Sequence, residues 1–473
     1  MQRYRLFALL LCALTHGRAQ QIYPATDALP RSTDFSVRVR TSGGPWKDLP
    51  VYGVKVADGN TGLFHPEVTN MAYFDFTDSV EVAVTPRRAF SNVRIRPALA
   101  PRFEGRTIRF TLSGPRNLSI ELDGDIFHNL QLFAGAPETA APDSNTLYYA
   151  PGVHIAGTVH LTSGQHVYLA GGAVVEGQFL IDHQHDVRIS GRGILFQPGT
   201  PGGRDGRHDA LLVQYSQNVD ISGIIVLPAT YTVLMGNSRH VTIRGIKSFS
   251  AGGNNDGIDI FCSEDVLVDS VFMRNSDDCI AIYGHRWDFY GNVRDITVSH
   301  SCLWADVAHP ILVGTHGDPA HPDTLEGLHF LDLDILDHHE NQIDYQGCMS
   351  LNAGDSNLIR HVRFEDIRVS DFRKGQLVNL RIMFNHKYNT APGRGISDVL
   401  FKNVSYTGSH ANLSIIAGYD DNHLIRNVTF QNLRINGKVI SDNMPGKPAW
   451  YKTSDFAGFF VGEHVDGLKF EAQ

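Results

Sequence analysis

From about residue 165 onward one motif returns ten times: a polar residue, an aliphatic one, one spacer, a second apolar residue, then another aliphatic a few places on. It reads HVYLAGGAVV at 166–175, DVRISGRGILF at 186–196, NVDISGIIVL at 218–227, HVTIRGIKSF at 240–249 and DVLVDSVFM at 265–273. It continues as DITVSHSCLW at 295–304, GLHFLDLDIL at 327–336, HVRFEDIRV at 361–369, DVLFKNVSY at 398–406 and NVTFQNLRI at 427–435. The first aliphatic of each unit, from Val167 to Val428, follows its predecessor by 20 to 37 residues. Short alternating runs of Val, Ile, Thr and Phe closed by Gly, Asn or Asp are strand chemistry, and recurrence at such a period points to a repeat architecture. A propeller blade would be longer and more regular, and a leucine-rich repeat would carry its Leu ladder with Asn at a fixed offset. Units of two or three short strands with loops of uneven length fit a right-handed parallel β-helix, in which the longer rungs add loops on one face.

Residues 31–130 have a different rhythm. FSVRVR (35–40), VYGVKV (51–56), VEVAVTP (80–86), NVRIRP (92–97), TIRFTL (107–112) and LSIELDG (118–124) alternate at the spacing of a β-sandwich. The chain is therefore expected to be all-β: a sandwich over 20–135, the linker GAPETAAPDSN (135–145), a β-helix over 150–440, and a repeat-free tail, 441–473, covering the last rung. The first nineteen residues look like an export signal, with Arg3 and Arg5, an apolar run from Leu6 to Leu14, and Gly17 and Ala19 as small residues near a cleavage point. That run is too short to span a bilayer, so a secreted chain, extracellular or periplasmic and without membrane attachment, is expected. A net charge of −9 with no Lys/Arg run argues against nucleic acid as a partner. Without the signal four cysteines remain, Cys262, Cys279, Cys302 and Cys348, and no CxxC pair suggests zinc.

Chemistry concentrates in the stretch NNDGIDIFCSEDVLVDSVFMRNSDDCIAI, 254–282. Within each rung a second strand follows the repeat strand: TVLM (232–235), GIDIF (257–261), CIAIY (279–283), PILVG (310–314), CMSLN (348–352), LVNLRIM (377–383) and LSIIAG (413–418). Asp256 precedes one of these, Asp277 and Asp278 the next, and His309 the one after. Taken singly, Asp-Gly is a turn and Asp-Asp a solvated surface pair. Stacked about 4.8 Å apart, they become an acidic cluster in which at least one carboxyl must hold a proton. A protonated and an ionised carboxyl side by side are what hydrolysis of a glycosidic bond needs.

NNDG, SDDCIAI and the later His309 resemble the NTDG, DD and GHG signatures of the polygalacturonases, glycoside hydrolase family 28, over about residues 150–440. The resemblance implies an inverting hydrolase on a right-handed β-helix, with Asp278 as general acid, Asp256 and Asp277 holding the attacking water, and His309 tuning the site. It also implies a disulfide between Cys279 and Cys302, for which two reduced core thiols are the alternative. Two motifs depart from the family. GHG is AHP here (Ala308–Pro310), and the rung expected to carry the RIK cations reads CMSLN, leaving Arg381 a rung later as a substitute for gripping a substrate carboxylate. The sandwich, with LSIELDGDIFHNLQLFAGAPE at 118–138, is similar to the dextranase and isopullulanase family, which implies a neutral α-glucan as the alternative substrate.

Trp287, Tyr290 and Asn352 are further candidates for binding sugar, with Tyr231, His285, Arg286, His316, Asp318 and Asp355 near the same rungs. Aromatic side chains packed on the rung below would look the same in sequence. The HHE run at 338–340 suggests a metal only weakly, because adjacent residues on a strand point to opposite faces. No cofactor or metal is expected, and a monomer acting on a polysaccharide is. A β-helical lyase would need a cationic base beside the acids, and a non-catalytic glycan-binding β-helix would be indifferent to loss of Asp278.

Overall fold

The computed structural model describes residues 20–59, 65–138, 143–198 and 209–473. The export-signal expectation at 1–19 lies outside them.

Two sheets build the N-terminal part. One is antiparallel, in the order Lys47–Leu49, Phe35–Arg40, Val80–Pro86, Thr107–Leu112, Arg102–Glu104. The other centres on His65–Phe76 and Asp125–Gly135, which run parallel to each other, flanked by Tyr52–Asp58 and Arg116–Leu122. Strand alternation gives this second sheet two apolar faces. Ala72, Phe74, Leu118, Ile120, Leu130 and Leu132 pack inward on Val37, Val82, Val84 and Ile108 of the first sheet. The opposite face, with Tyr52, Val54, Met71, Tyr73 and Phe133, packs on Ile225, Phe249, Phe272 and Trp304 of the repeat domain.

That domain is a right-handed parallel β-helix, and its strands join into a single system of 32 among the described residues. Three columns matter for function. The first stacks Leu211–Gln214, Val233–Gly236, Ile258–Phe261, Ile280–Tyr283, Ile311–Gly314, Met349–Ala353, Val378–Ile382 and Ser414–Ala417 in parallel register. The second contains the repeat strands found in the sequence, such as Arg239–Arg244 and Glu264–Asp269. The third, with Lys247–Phe249, Phe272–Asn275 and Cys302–Ala305, is the one the sandwich covers. Bends into the second column put Asn218, His240, Asp265, Asp295 and Asp398 at positive φ, a conformation in which Asn, Asp and His are favoured. Inside, Phe330, Phe364, Phe401, Phe430 and Phe470 form a ladder with successive centroids 4.7, 4.8, 4.5 and 5.0 Å apart.

The tail does more than cover the last rung. Phe459–Val461 and Lys469–Glu471 pair in parallel with Ser414–Ala417 and Leu424–Gln431, so a further partial rung follows the last sequence repeat. The Cys279–Cys302 disulfide is not formed. Both thiols are free and buried, on opposite sides of the wall: Cys279 sits in the β-helix interior near the Met273 carbonyl, 3.6 Å away, while Cys302 faces the sandwich near that of Asn117, 3.9 Å away.

The two domains are also tied by a buried arginine, whose ion pair lies within the β-helix and whose other donors reach the sandwich. Arg274, fully buried, donates to Asp306 through Nε (2.9 Å) and Nη2 (3.2 Å), and reaches Asn129 Oδ1 (3.1 Å) and the Ile126 carbonyl (2.9 Å) of the sandwich. Its guanidinium lies 4.1 Å from the Trp304 ring centroid. Removing one partner of such a pair leaves a buried charge and costs about 3–5 kcal/mol. Arg274→Met is expected to lose about 3 kcal/mol, the lower figure because Arg373 still contacts Asp306 at 3.3 Å, as read by denaturant unfolding. Arg274→Met with Asp306→Leu should recover part of it.

Candidate active site

The first column carries the acids, and its hydrogen-bond ladder runs straight through them. The Gly257 N–H donates to the Asp278 carbonyl (2.7 Å), and the Cys279 N–H to the His309 carbonyl (2.8 Å). Gly257 is required by close approach: a Cβ there would stand 2.2 Å from the Cys279 carbonyl oxygen. Behind the acids, Asn275 Nδ2 donates to Ser248 and Ser250 (both 3.2 Å), and the Ser250 hydroxyl donates to the Asn255 carbonyl (2.9 Å), which fixes the loops leading into these strands.

One carboxylate oxygen each from Asp256, Asp277 and Asp278 lie within 4.8 Å of one another. Asp256 and Asp278 are buried, and Asp277 is the more open of the three. Asp278 Oδ1 receives the backbone N–H of His309 (3.0 Å) and lies 2.7 Å from its Nδ1, while Tyr283 Oη donates to Oδ2 (3.4 Å). His309 Nε2 faces the carbonyl of Tyr345. A carbonyl only accepts, so Nε2 carries a proton; the Asp278 carboxylate takes the other from Nδ1. Burial alone would lower the His309 pKa, but the charge and hydrogen bond of Asp278 raise it to about 9. His309 is thus an imidazolium paired with an ionised Asp278. His338 supports it from behind, its Nδ1 donating to the Ala308 carbonyl (2.7 Å) and its Nε2 accepting the Gly347 N–H (3.0 Å). With both ring nitrogens used, His338 is no metal ligand in HHE.

The remaining carboxyls go the other way. Burial first, then the negative charge of Asp278, pushes Asp277 up to about 8. Burial and neighbouring Asp259 push Asp256 well above the ordinary carboxyl range. Asp259 itself was not singled out from the sequence. It is buried on the outward face of Ile258–Phe261, in register with Leu234 and Ala281, and its Oδ1 has no hydrogen-bond partner. Burial and Asp278 raise its pKa well above the ordinary range too. The available signal was an acid at an outward position, two residues after Gly257, in a strand otherwise apolar.

Asp256, Asp277 and Asp278 are the residues that would hold a cation if one bound here. Calcium takes six to eight oxygens, whereas Asp278 already gives both of its own to protein donors and faces the His309 imidazolium. That donor set suits proton chemistry better.

The other sequence candidates divide. Trp287 packs edge-on against Phe261 (5.6 Å) and Tyr231 (6.1 Å), whose hydroxyl pKa is raised by burial and by Asp256. The Tyr290 ring lies 4.2 Å from that of its hairpin partner His285, tilted by 47°, and the Tyr290 carbonyl accepts from Asn237 (3.1 Å). Asn352 is fully buried in register with Arg381, and the Arg381 guanidinium is held by the Asp344 carbonyl. Asp355 is occupied by the backbone of Thr390 and Ala391, and Asp318 by His321 (2.7 Å). Burial drives His316 down to about 3, so it is neutral, between Tyr283 and Tyr388.

Residues 167–447 match the family model described as glycosyl hydrolases family 28. The chain belongs to that family. This glycosyl hydrolase family 28 protein is 22% identical over 346 residues to a probable endopolygalacturonase D of Emericella nidulans, covering 64% of this chain and 63% of that one. It is 25% identical over 177 residues to a probable endo-xylogalacturonan hydrolase A of Aspergillus fumigatus, covering 34% of this chain and 39% of that one. The matches thus span less than two thirds of these curated relatives. In structure it is similar to Dex49A from Penicillium minioluteum, with a TM-score of 0.63 and 14% identity over 94% of this chain and 96% of that one, so the likeness in fold includes the sandwich.

Raised carboxyl pKa values carry a stability consequence. The folded protein keeps protons on Asp256, Asp259 and Asp277 that the unfolded chain releases from about pH 4 upward. Native protein then binds more protons than unfolded, so the contribution of these groups to stability falls as pH rises from about 4 to about 8. Asp277→Asn, which cannot ionise, is expected to unfold at a higher temperature than wild type at pH 7.5 and to show a smaller gain at pH 4.5. Equal shifts at both values would contradict the assignment.

Proposed function

We propose that the protein hydrolyses O-glycosidic bonds of a pectin-type polysaccharide by inverting acid/base catalysis. The observation that carries this reading is the division of labour among three carboxyls within 4.8 Å, one of them, Asp277, raised to about 8 and another, Asp278, accepting from the His309 ring and backbone. These hydrogen bonds favour roles for the Asp pair opposite to those implied by the sequence resemblance. Asp277, open to the cleft and protonated at neutral pH, donates to the leaving oxygen. Asp278, ionised against His309, accepts the proton of the attacking water, and Asp256 orients that water.

The carboxyls stand closer than the 6.5–9.5 Å or so usual between acid and base in an inverting site, and spacing alone would suit a retaining enzyme. A retaining site needs a free ionised nucleophile. Both oxygens of Asp278 are held by protein donors, and Asp256 has a pKa well above the carboxylate range, which supports water as the attacking group.

A uronic-acid substrate is supported by family membership and by the names of the relatives. The neutral α-glucan reading is favoured by one observation, that the Arg381 guanidinium is engaged by the Asp344 carbonyl. Export through the N-terminal segment and action as a monomer on an extracellular polysaccharide complete the proposal. No helix among the described residues is long and apolar enough to cross a membrane.

Release of new reducing ends from polygalacturonate and from dextran tests the substrate, with Asp277→Asn and His309→Ala in parallel. Wild type is expected to act on polygalacturonate, with kcat falling above about pH 8 as Asp277 loses its proton. Asp277→Asn is expected to lose on the order of 10³-fold in kcat, and His309→Ala, acting through Asp278, on the order of 10²-fold. Turnover of dextran alone would replace the pectin reading, and undiminished turnover by Asp277→Asn would remove the acid.

A further inference from the structure

A polysaccharide cut in mid-chain must lie in a groove open at both ends. The floor of this cleft is the outward face of the first column, with Asp259 and Phe261 on one rung, Ala281 and Tyr283 on the next, and Leu312 on the third. Loops entering these strands form one bank, and loops leaving them form the other.

The banks meet twice. On the N-terminal side, Tyr231 comes from the loop entering Val233–Gly236, and Trp287 from the hairpin after Ile280–Tyr283. Their rings touch edge-on at 6.1 Å, above Phe261, which lies 5.6 Å from Trp287. On the C-terminal side, Gln342 and Tyr345 come from the loop entering Met349–Ala353, and Lys387 and Tyr388 from the loop after Val378–Ile382. Tyr388 Oη donates to Gln342 Oε1 (3.0 Å), Lys387 Nζ donates to the same oxygen, and the rings of Tyr345 and Tyr388 stack at 4.6 Å and 24°. This crossing is pinned to the floor, with Tyr345 Oη donating to Thr315 Oγ1 (3.5 Å) and Asn389 Nδ2 donating to the Thr315 carbonyl. Aromatic rings at these separations are in direct contact, so no sugar chain passes between them.

We infer that the site is a pocket that receives a chain end, so that the enzyme removes sugars from a terminus instead of cutting internally. The inference rests on the proposed hydrolysis but not on which sugar is cleaved. Between the crossings lie the rungs of Asp277, Asp278 and His309. At about 4.8 Å per rung the walls stand two to three rungs apart, roughly 10–14 Å, enough for a terminal residue and the scissile bond. The rest of the chain leaves outward past Asp277 and Arg286. The Arg286 side chain is partly exposed, has its guanidinium 5.1 Å from the Trp287 ring, and makes no ion pair among the described residues. The curated relatives it matches carry "endo" in their names; the chain-end reading comes from this chain's own loops, the pairs Tyr231–Trp287 and Tyr345–Tyr388.

The test is the loss of viscosity per new reducing end, with products sized over time, on polygalacturonate and dextran for wild type and for Trp287→Ala and Gln342→Ala/Tyr388→Ser. Wild type is expected to release sugars of one or two units from the first time point while viscosity hardly falls. Either variant should raise the viscosity loss per bond cleaved by several-fold. Rapid viscosity loss with mixed oligosaccharides from wild type would overturn the inference. Turnover of dextran instead of polygalacturonate would change the sugar, yet the viscosity ratio would still decide between chain-end and internal attack.

Discussion

Everything functional here depends on one repeated interaction, the parallel hydrogen bond from one rung to the next. Through it Gly257 lies under the Asp278 carbonyl and Cys279 under that of His309. Residues from 256 to 309 become a cluster a few ångströms across. The same stacking excludes a side chain at Gly257 and leaves the outward face of the column free to be a floor. The sandwich contributes from behind, burying the third column under Tyr52, Tyr73 and Phe133, so the loops that enter the active strands start from a fixed wall.

Stacking carboxyls on neighbouring rungs sets stability against function. Three acids, four with Asp259, are desolvated together, and the cluster avoids mutual repulsion by retaining protons on some members and by setting an imidazolium against another. His309 is the hinge of that arrangement. Its ring spans from the Asp278 carboxylate to the Tyr345 carbonyl, and Tyr345 is also half of the ring stack closing the cleft. The acid cluster and the wall beside it are thus built on one side chain. The preceding residue, Ala308, adopts φ +66°, a left-handed conformation that costs a residue with a Cβ about 1–2 kcal/mol. This is the place where the family signature has glycine.

Much of this was legible in the chain. The strand pattern from HVYL to NVTF gave the β-helix because period-2 alternation and Asn/Asp bends are local chemistry, and NNDG and SDDC could be aligned because each abuts its strand directly. What was not legible depends on which way side chains face. The family resemblance implied a Cys279–Cys302 disulfide, yet one thiol points into the β-helix interior and the other toward the sandwich. Asp278 follows Asp277 by one residue, and only the third dimension reveals that it is the one His309 holds. Arg381 sits in the right column, but a carbonyl from a loop 37 residues earlier takes its guanidinium. The partial rung at 459–471 has strands too short to show the motif.

The anomeric configuration of the first product, followed by proton NMR before mutarotation, tests most directly whether the carboxyl cluster activates water. Attack by water, oriented by Asp256 and deprotonated by Asp278 while Asp277 protonates the leaving oxygen, predicts that the new reducing sugar appears with inverted configuration. Retention would contradict this, and would mean that one of the three carboxylates attacks the sugar itself.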